Sequence, residues 1–379
     1  MNRENTDGRA ISVHSGGLFA AANSGAGFES FYSNIFSDAR ILRRYLIKGG
    51  PGTGKSSFMR RVADAAEGEG YRVEYYRCSS DYTSLDAIVI ENTVALLDAT
   101  APHAMEPELA GARDEILNLG QFWDSGALFE RREEISALSR KKSDAYSGAY
   151  RFLEGALALD KRSRELSNSL VRHAKLDKAA LRMTEKIARG GGYECRIGIC
   201  NSVGMKGRAR LDYYERIAQR IYLVEDHMCT AHLFLEKMAH NAVSNQNRIC
   251  VSFDPVNTSC LDAVFFEESS TAFLSAHGDM LDGYSDKIVG RVNMKRFLQA
   301  SASFFEDEKR KRAEFRADRR IYDGLLDSAV RCLESAGEAH FELERIYGSC
   351  MDFDAEGRFC QSFAVHVCEE LEMLMGRKQ

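Results

Sequence analysis

Apolar positions along the chain fall into two kinds of run. Short, nearly unbroken runs predict buried β-strands: Tyr45-Leu46-Ile47, Ala87-Ile88-Val89-Ile90 and Val94-Ala95-Leu96-Leu97, with a tight Glu91-Asn92 turn between the latter two. Arg72 to Arg77 adds a strand of β-favouring residues, and Ser57 to Glu67 reads as a helix ending near Gly68 and Gly70. Longer amphipathic stretches follow. Across 126–189, Leu128, Ile135, Leu138, Tyr146, Tyr150, Leu153 and Leu157 recur at roughly helical spacing, up to a stop at Gly190-Gly191-Gly192. Residues 294–347 repeat that pattern around a charged middle, Glu306 to Arg320, whose simplest role is a solvated helix face. The four prolines all lie outside 108–254 and 256–379, which leaves room for long helices. Strand–helix–strand order predicts a three-layer α/β sandwich with a mainly parallel sheet, and each long stretch predicts a helical hairpin.

The pattern occurs twice. Phe58 to Asn92 aligns without a gap onto Phe234 to Glu268, at an offset of 176. Its best piece sets Leu85-Asp86-Ala87-Ile88-Val89-Ile90 against Leu261-Asp262-Ala263-Val264-Phe265-Phe266. Upstream, Asn23-Ser24 echoes Asn201-Ser202, and Tyr45-Leu46-Ile47 echoes Tyr222-Leu223-Val224. A tandem duplication is expected, with one copy over 1–190 (hairpin 126–189) and a second over 191–379 (hairpin 294–347).

One motif in the first copy carries specific chemistry. Gly49-Gly50-Pro51-Gly52-Thr53-Gly54-Lys55-Ser56 fits G-x-x-x-x-G-K-[ST], the P-loop, and lies between a strand and a helix as that motif requires. The glycines let the backbone curl so that successive N–H groups face phosphate oxygens, and the helix opened by Ser56 and Ser57 points its positive end at the same anion. Lys55 is expected at the β- and γ-phosphates, and Ser56 at Mg²⁺. The second metal ligand should be a carboxylate at the end of an apolar strand, which Asp98 supplies after Val94-Ala95-Leu96-Leu97. No glutamate follows Asp98, so Asp81, Asp86, His103 and Glu106 are the candidates for activating the attacking water. The cluster Cys78-Ser79-Ser80-Asp81 ends a strand, where α/β sheets open their ligand crevice, although a polar turn explains it equally well.

The second copy keeps the frame without this chemistry. Glu225-Asp226-His227-Met228-Cys229-Thr230-Ala231-His232 stands opposite the P-loop with no glycine and no lysine, and Ser275 stands opposite Asp98. A degenerate site kept for structure is expected. Asp226, His227, Cys229 and His232 are metal-ligand types, but their spacing matches no standard zinc pattern.

Ile47-Lys48 with the P-loop, Cys78-Ser79-Ser80-Asp81 with Ser84-Leu85-Asp86, and Leu97-Asp98-Ala99-Thr100-Ala101-Pro102-His103 together resemble an uncharacterised bacterial family of tandem P-loop ATPase-like proteins. Asp114 to Gly120 and Trp123-Asp124 resemble it too. The resemblance implies ATP binding and a duplicated fold; it supplies no catalytic base.

Composition narrows the setting. A net charge of −5 advertises neither nucleic acid nor an anionic membrane, and no apolar run is long enough to span a bilayer. Ten cysteines without a CxxC pair, behind a polar start, point to reduced thiols in a cytoplasmic protein. The leading expectation is a Mg²⁺-dependent ATPase with one active site, helped by an arginine such as Arg208, Arg210 or Arg220 from the second copy or another subunit. The alternatives are a phosphotransferase with its acceptor near Asp81, Asp86 and His103, and a non-hydrolysing ATP-dependent switch. The absence of an N/TKxD motif favours ATP over GTP, and the helical hairpins are the surfaces expected to meet a protein partner or another copy of the chain.

Overall fold

The unbroken apolar runs become the inner strands of two six-stranded sheets in a computed structural model that describes residues 11–13, 16–276, 283–299 and 305–376. The N-terminal half runs β1 (Ile11–Val13), β2 (Leu18–Phe19), β3 (Ala21–Ser24), β4 (Gly27–Ser30), α1 (Tyr32–Phe36), β5 (Arg43–Lys48), α2 (Lys55–Gly68), β6 (Val73–Arg77), β7 (Leu85–Ile90), β8 (Val94–Asp98), β9 (Asp114–Asn118), α3 (Ser125–Glu130), α4 (Arg132–Asn168) and α5 (His173–Ile187). The C-terminal half runs β10 (Glu194–Ile197), β11 (Asn201–Gly204), β12 (Gly207–Leu211), α6 (Tyr213–Ile217), β13 (Arg220–Glu225), α7 (Ala231–Ser244), β14 (Arg248–Phe253), β15 (Leu261–Phe266), β16 (Thr271–Ala276), β17 (Ile288–Asn293), α8 (Phe305–Gly348) and α9 (Phe353–Gly376).

The chain is α/β, with mixed sheets of mostly parallel strands. One sheet has the order β2-β6-β7-β8-β5-β9 and the other β10-β14-β15-β16-β13-β17. In each, the third strand is antiparallel to both neighbours while the other pairs are parallel. Every residue of β7 is buried, as a strand covered on both faces should be. The predicted tight turn after it holds Glu91 and Asn92 at φ 48° and 51°. Parallel pairing of β5 with β8 sets Ile47 opposite Asp98, so the loop after β5 and the end of β8 share one edge of the sheet.

The helices depart from expectation. Residues 294–347 do not fold back on themselves: after a short 3₁₀ turn at Met294–Phe297, α8 is one helix of 44 residues. Its partner is α4, 37 residues long and running the opposite way, with Gly148 beside Cys332, Gly155 beside Leu325, and Lys311 bonded to Ser169 at 2.9 Å. The buried seam of α4 is Ala149, Leu153, Ala156, Asp160, Ser163 and Ser167, a 3-4 spacing met on α8 by Tyr322, Leu326, Ala329, Leu333 and Ala336. That is the spacing of a two-stranded coiled coil, and the small residues let the backbones approach closely. The two hairpin arms thus pair across the halves instead of within them.

The shorter helices are exchanged as well. Leu176, Ala180 and Ile187 of α5 pack with Phe234, Leu235 and Met238 of α7 in the C-terminal half. Cys360, Phe363, Val367 and Leu371 of α9 pack with Phe58 and Val62 of α2 in the N-terminal half. The crossings are tied by backbone bonds, Asp124 N–H to Cys350 at 2.7 Å and Arg172 N–H to Phe297 at 2.7 Å.

Candidate functional site

The loop between β5 and α2 turns through two left-handed glycines, Gly52 at φ 71° and Gly54 at φ 83°, which residues with a Cβ rarely adopt. Thr53 is fully buried and its hydroxyl donates to the Gly50 carbonyl at 2.9 Å, tying the loop to itself. A Cβ on Gly49 would meet the Thr53 hydroxyl at 2.6 Å, while Pro51 is half-buried and Ser57 exposed on the first turn of α2. Lys55 opens α2 and its ammonium donates to the carbonyls of Gly49 (3.0 Å) and Gly50 (2.9 Å). It stands 3.6 Å from the Asp98 carboxylate. Ser56 Oγ accepts from the Leu85 N–H at 3.0 Å, which fixes the hydroxyl beside the start of β7.

Asp98 is held by Thr100, through its N–H at 3.0 Å and its hydroxyl at 2.5 Å. Burial pushes its carboxyl above the ordinary range; the nearby Asp86 adds to this, and Lys55 works against it. Asp86 lies 3.1 Å from Nε2 of His103, both side chains almost fully buried. Tyr32 stacks on that imidazole at 4.7 Å and Phe28 meets it edge-on at 5.0 Å. Burial disfavours the charged ring, but Asp86 outweighs it and the His103 pKa is raised. The raised value means that the pair stabilises the fold fully below the unfolded ring's pKa, about 6.5, and that this contribution disappears as pH rises through the higher folded value. His103→Gln should therefore flatten the decline of stability with pH, measured as urea midpoints from about pH 6 to pH 9. An unchanged slope would show that the pair titrates identically folded and unfolded.

The other predicted polar residues have partners of their own. Asp81 accepts from Thr83 and from the ammonium of Lys206, at 2.8 Å, on the β11–β12 turn of the C-terminal half. Burial opposes ionisation of Asp81, but Lys206 and Thr83 prevail and its pKa is lowered. Glu106 is exposed and pairs with Lys48 at 2.8 Å. Burial, followed by Asp86, holds the Cys78 thiol far above its ordinary value, so it stays protonated. Arg210 is buried against Glu215 at 2.5 Å, Arg220 bonds Thr271, and Arg208 lies 3.8 Å from Asp323. None of these three contacts involves the loop 49–56.

Sequence reasoning missed the residues that the helix exchange delivers. The last turns of α8 lie on the loop: a Cβ on Gly50 would meet the Tyr347 ring at 2.8 Å, and one on Gly52 would run into the Glu344 carbonyl. On α4, Tyr146 donates to Ser80 at 2.9 Å and Tyr150 to Asn23 at 3.0 Å. One turn earlier on that face stands Lys142, half-buried, its pKa lowered by burial and by Lys55, with Glu344 opposing. No local motif announces any of them, since each arrives from far along the chain.

The equivalent place in the C-terminal half is already filled. Asp226 folds back on the loop before α7 and accepts from the N–H groups of Cys229 (3.1 Å) and Ala231 (2.7 Å), with Met228 and Cys229 at φ 58° and 57°. A side-chain carboxylate thus occupies the anion position that backbone N–H groups create. Above it Arg164 of α4 bonds Asp160 at 2.5 Å and the Cys229 carbonyl at 3.3 Å, and lies 2.8 Å from Nδ1 of His232. The cavity left there holds about 60 Å³. Asp226 is therefore spent on backbone bonds rather than facing a metal together with His227, Cys229 and His232. A different set does converge: ligand atoms of His232, Glu236 and Cys260 all lie within 4.8 Å of one another.

No family model, no curated protein and no solved structure matches the chain. Among the described residues no helix is long and apolar enough to cross a membrane.

Proposed function

We propose that the N-terminal half binds Mg·ATP in the loop 49–56 and hydrolyses it, and that the C-terminal half is a degenerate copy of the same unit. The observation that carries this is a cation and a carboxylate 3.6 Å apart, Lys55 at the start of α2 and Asp98 at the end of β8, beside a loop curled by left-handed glycines. In this reading the loop N–H groups and Lys55 hold the phosphates, while Ser56 and Asp98 hold the metal, whose charge favours the ionised form of Asp98 that burial alone resists. Lys142 comes from α4 to the same mouth and takes the part expected of an arginine. The identical strand order and pairing sense of the two sheets support the duplication, as does the alignment at an offset of 176. The intramolecular Asp226 and Arg164 account for a C-terminal loop that takes no nucleotide.

Calorimetric titration with a slowly hydrolysed ATP analogue and Mg²⁺ tests this on the native chain and on Lys55→Ala. One site per chain, lost in the variant, is the expected result. A second site that survives Lys55→Ala, or no site in the native chain, would overturn the reading.

A further inference from the structure

We propose that the C-terminal half holds a zinc-type divalent metal ion on His232, Glu236 and Cys260, beside the loop before α7. His232 and Glu236 sit one helical turn apart on α7 and therefore on one face of it. Cys260 comes from the loop before β15, and among the described residues these three are the group whose ligand atoms lie within 4.8 Å of one another. Around a tetrahedral zinc ion such atoms stand about 3.3–3.7 Å apart, so closure needs only small rotamer movements. His232 and Cys260 are buried, which separates this cluster from the acidic groups that dot any surface.

The supports around the three side chains match those of metal ligands. The loop that carries Cys260 is rigid: its N–H donates to Asn257 at 2.9 Å, its carbonyl accepts from Asp254 at 2.9 Å, and the Asp254 side chain accepts from Val256 and Asn257. The Glu236 carboxylate accepts from the Leu261 backbone N–H. The imidazole is held by the Cys229 backbone and by Arg164, whose guanidinium lies 2.8 Å from Nδ1. Asp160 and Asp254 bracket the Arg164 guanidinium at 2.5 and 3.5 Å, so its charge is balanced before it reaches the metal. Thiolate, carboxylate and neutral imidazole are the donor mix of a zinc site, and one thiolate plus one carboxylate neutralise a dication in a buried position. On binding, a sulfur–metal bond forms and the thiol proton passes to solvent.

The inference stands apart from the nucleotide reading and has its own test. The full chain is treated with chelator under reducing conditions and titrated with Co²⁺ while its absorption spectrum is followed. One equivalent should bring up a thiolate-to-cobalt charge-transfer band that Zn²⁺ then abolishes. Cys260→Ser should remove the band, and Glu236→Gln should weaken cobalt binding at least about tenfold. Cys229→Ser, a nearby cysteine outside the set, should keep it. A native chain that gives no such band overturns the proposal whatever the variants do, and so does a band that survives Cys260→Ser.

Discussion

Alanine in place of Arg164 is expected to cost the fold about 3–5 kcal/mol, the usual penalty for removing one partner of a buried ion pair and stranding the other. Its guanidinium is 14% exposed and its first partner, Asp160, 3%. What remains for Asp160 is Asn257 at 2.8 Å and Arg319 at 3.7 Å, which together leave its charge only partly balanced. Desolvation dominates here because the loss is of a counter-ion, not of packing. Urea unfolding of the variant against the native chain reads the effect directly. A loss below about 1 kcal/mol would place the pair among solvent-screened surface bridges. The variant should also gain no second nucleotide site in the calorimetric titration, because Asp226 still caps Cys229 and Ala231 and no lysine has been added. A new site would show that the guanidinium alone had closed the C-terminal loop.

Much of the N-terminal site was legible because its chemistry is local. Gly49 to Ser56 is one continuous segment, and Asp98 ends an apolar strand, so motif and strand pattern were enough to bring the two together. The strands were legible for a similar reason: Ala87–Ile90 of β7 and Val94–Leu97 of β8 are unbroken apolar runs, a signal that needs no partner. The pairing of the long helices was not. Apart from Leu153, the seam of α4 runs through Ala149, Ala156, Asp160, Ser163 and Ser167. Small and polar residues at seam positions carry little hydrophobic signal, and the more visible Tyr146, Tyr150 and Leu157 lie beside them. Periodicity also shows that a helix has a buried face without showing which element covers it. Two antiparallel arms from distant halves and two self-contained hairpins therefore look alike in sequence. Tyr347, Glu344, Lys142 and Lys206 were invisible for that reason, as was the convergence of Cys260 with His232 and Glu236.

The exchange has a mechanical consequence. The α3–α4 segment is preceded by Trp123, which bridges to Met351 in the α8–α9 turn, and α4 is followed by Val171, which bridges to Leu298 in the C-terminal half. A rigid helix with one face on each site transmits a displacement at one end to the other. The C-terminal half also touches the N-terminal crevice directly, through the Met205 N–H on the Ser80 carbonyl at 2.7 Å and through Lys206 on Asp81. A change of phosphate state under the proposed reading would be felt along both routes, which is why the cation on α4 is the informative one to remove.

Lys142→Ala is expected to lower ATP turnover on the order of 10²- to 10³-fold, the cost of deleting one pre-placed group that stabilises charge in the transition state. Lys142 carries the signature of a cation waiting for an anion. Among the described residues no ion pair forms at its ammonium, it is half-buried, and burial together with Lys55 lowers its pKa. Asp98 beside Lys55 and Glu344 near Lys142 offset only part of the unfavourable setting of the two ammonium groups, and a γ-phosphate at the mouth of the loop would relieve both at once. The effect should therefore depend on that phosphate. Binding of the ATP analogue should weaken, while ADP, which lacks the γ-phosphate, should bind the variant and the native chain alike. A merely structural lysine would weaken both nucleotides together or neither. Equal losses for ATP and ADP, or native turnover in the variant, would remove Lys142 from the phosphate site while leaving the Lys55 titration to decide whether the loop binds nucleotide at all.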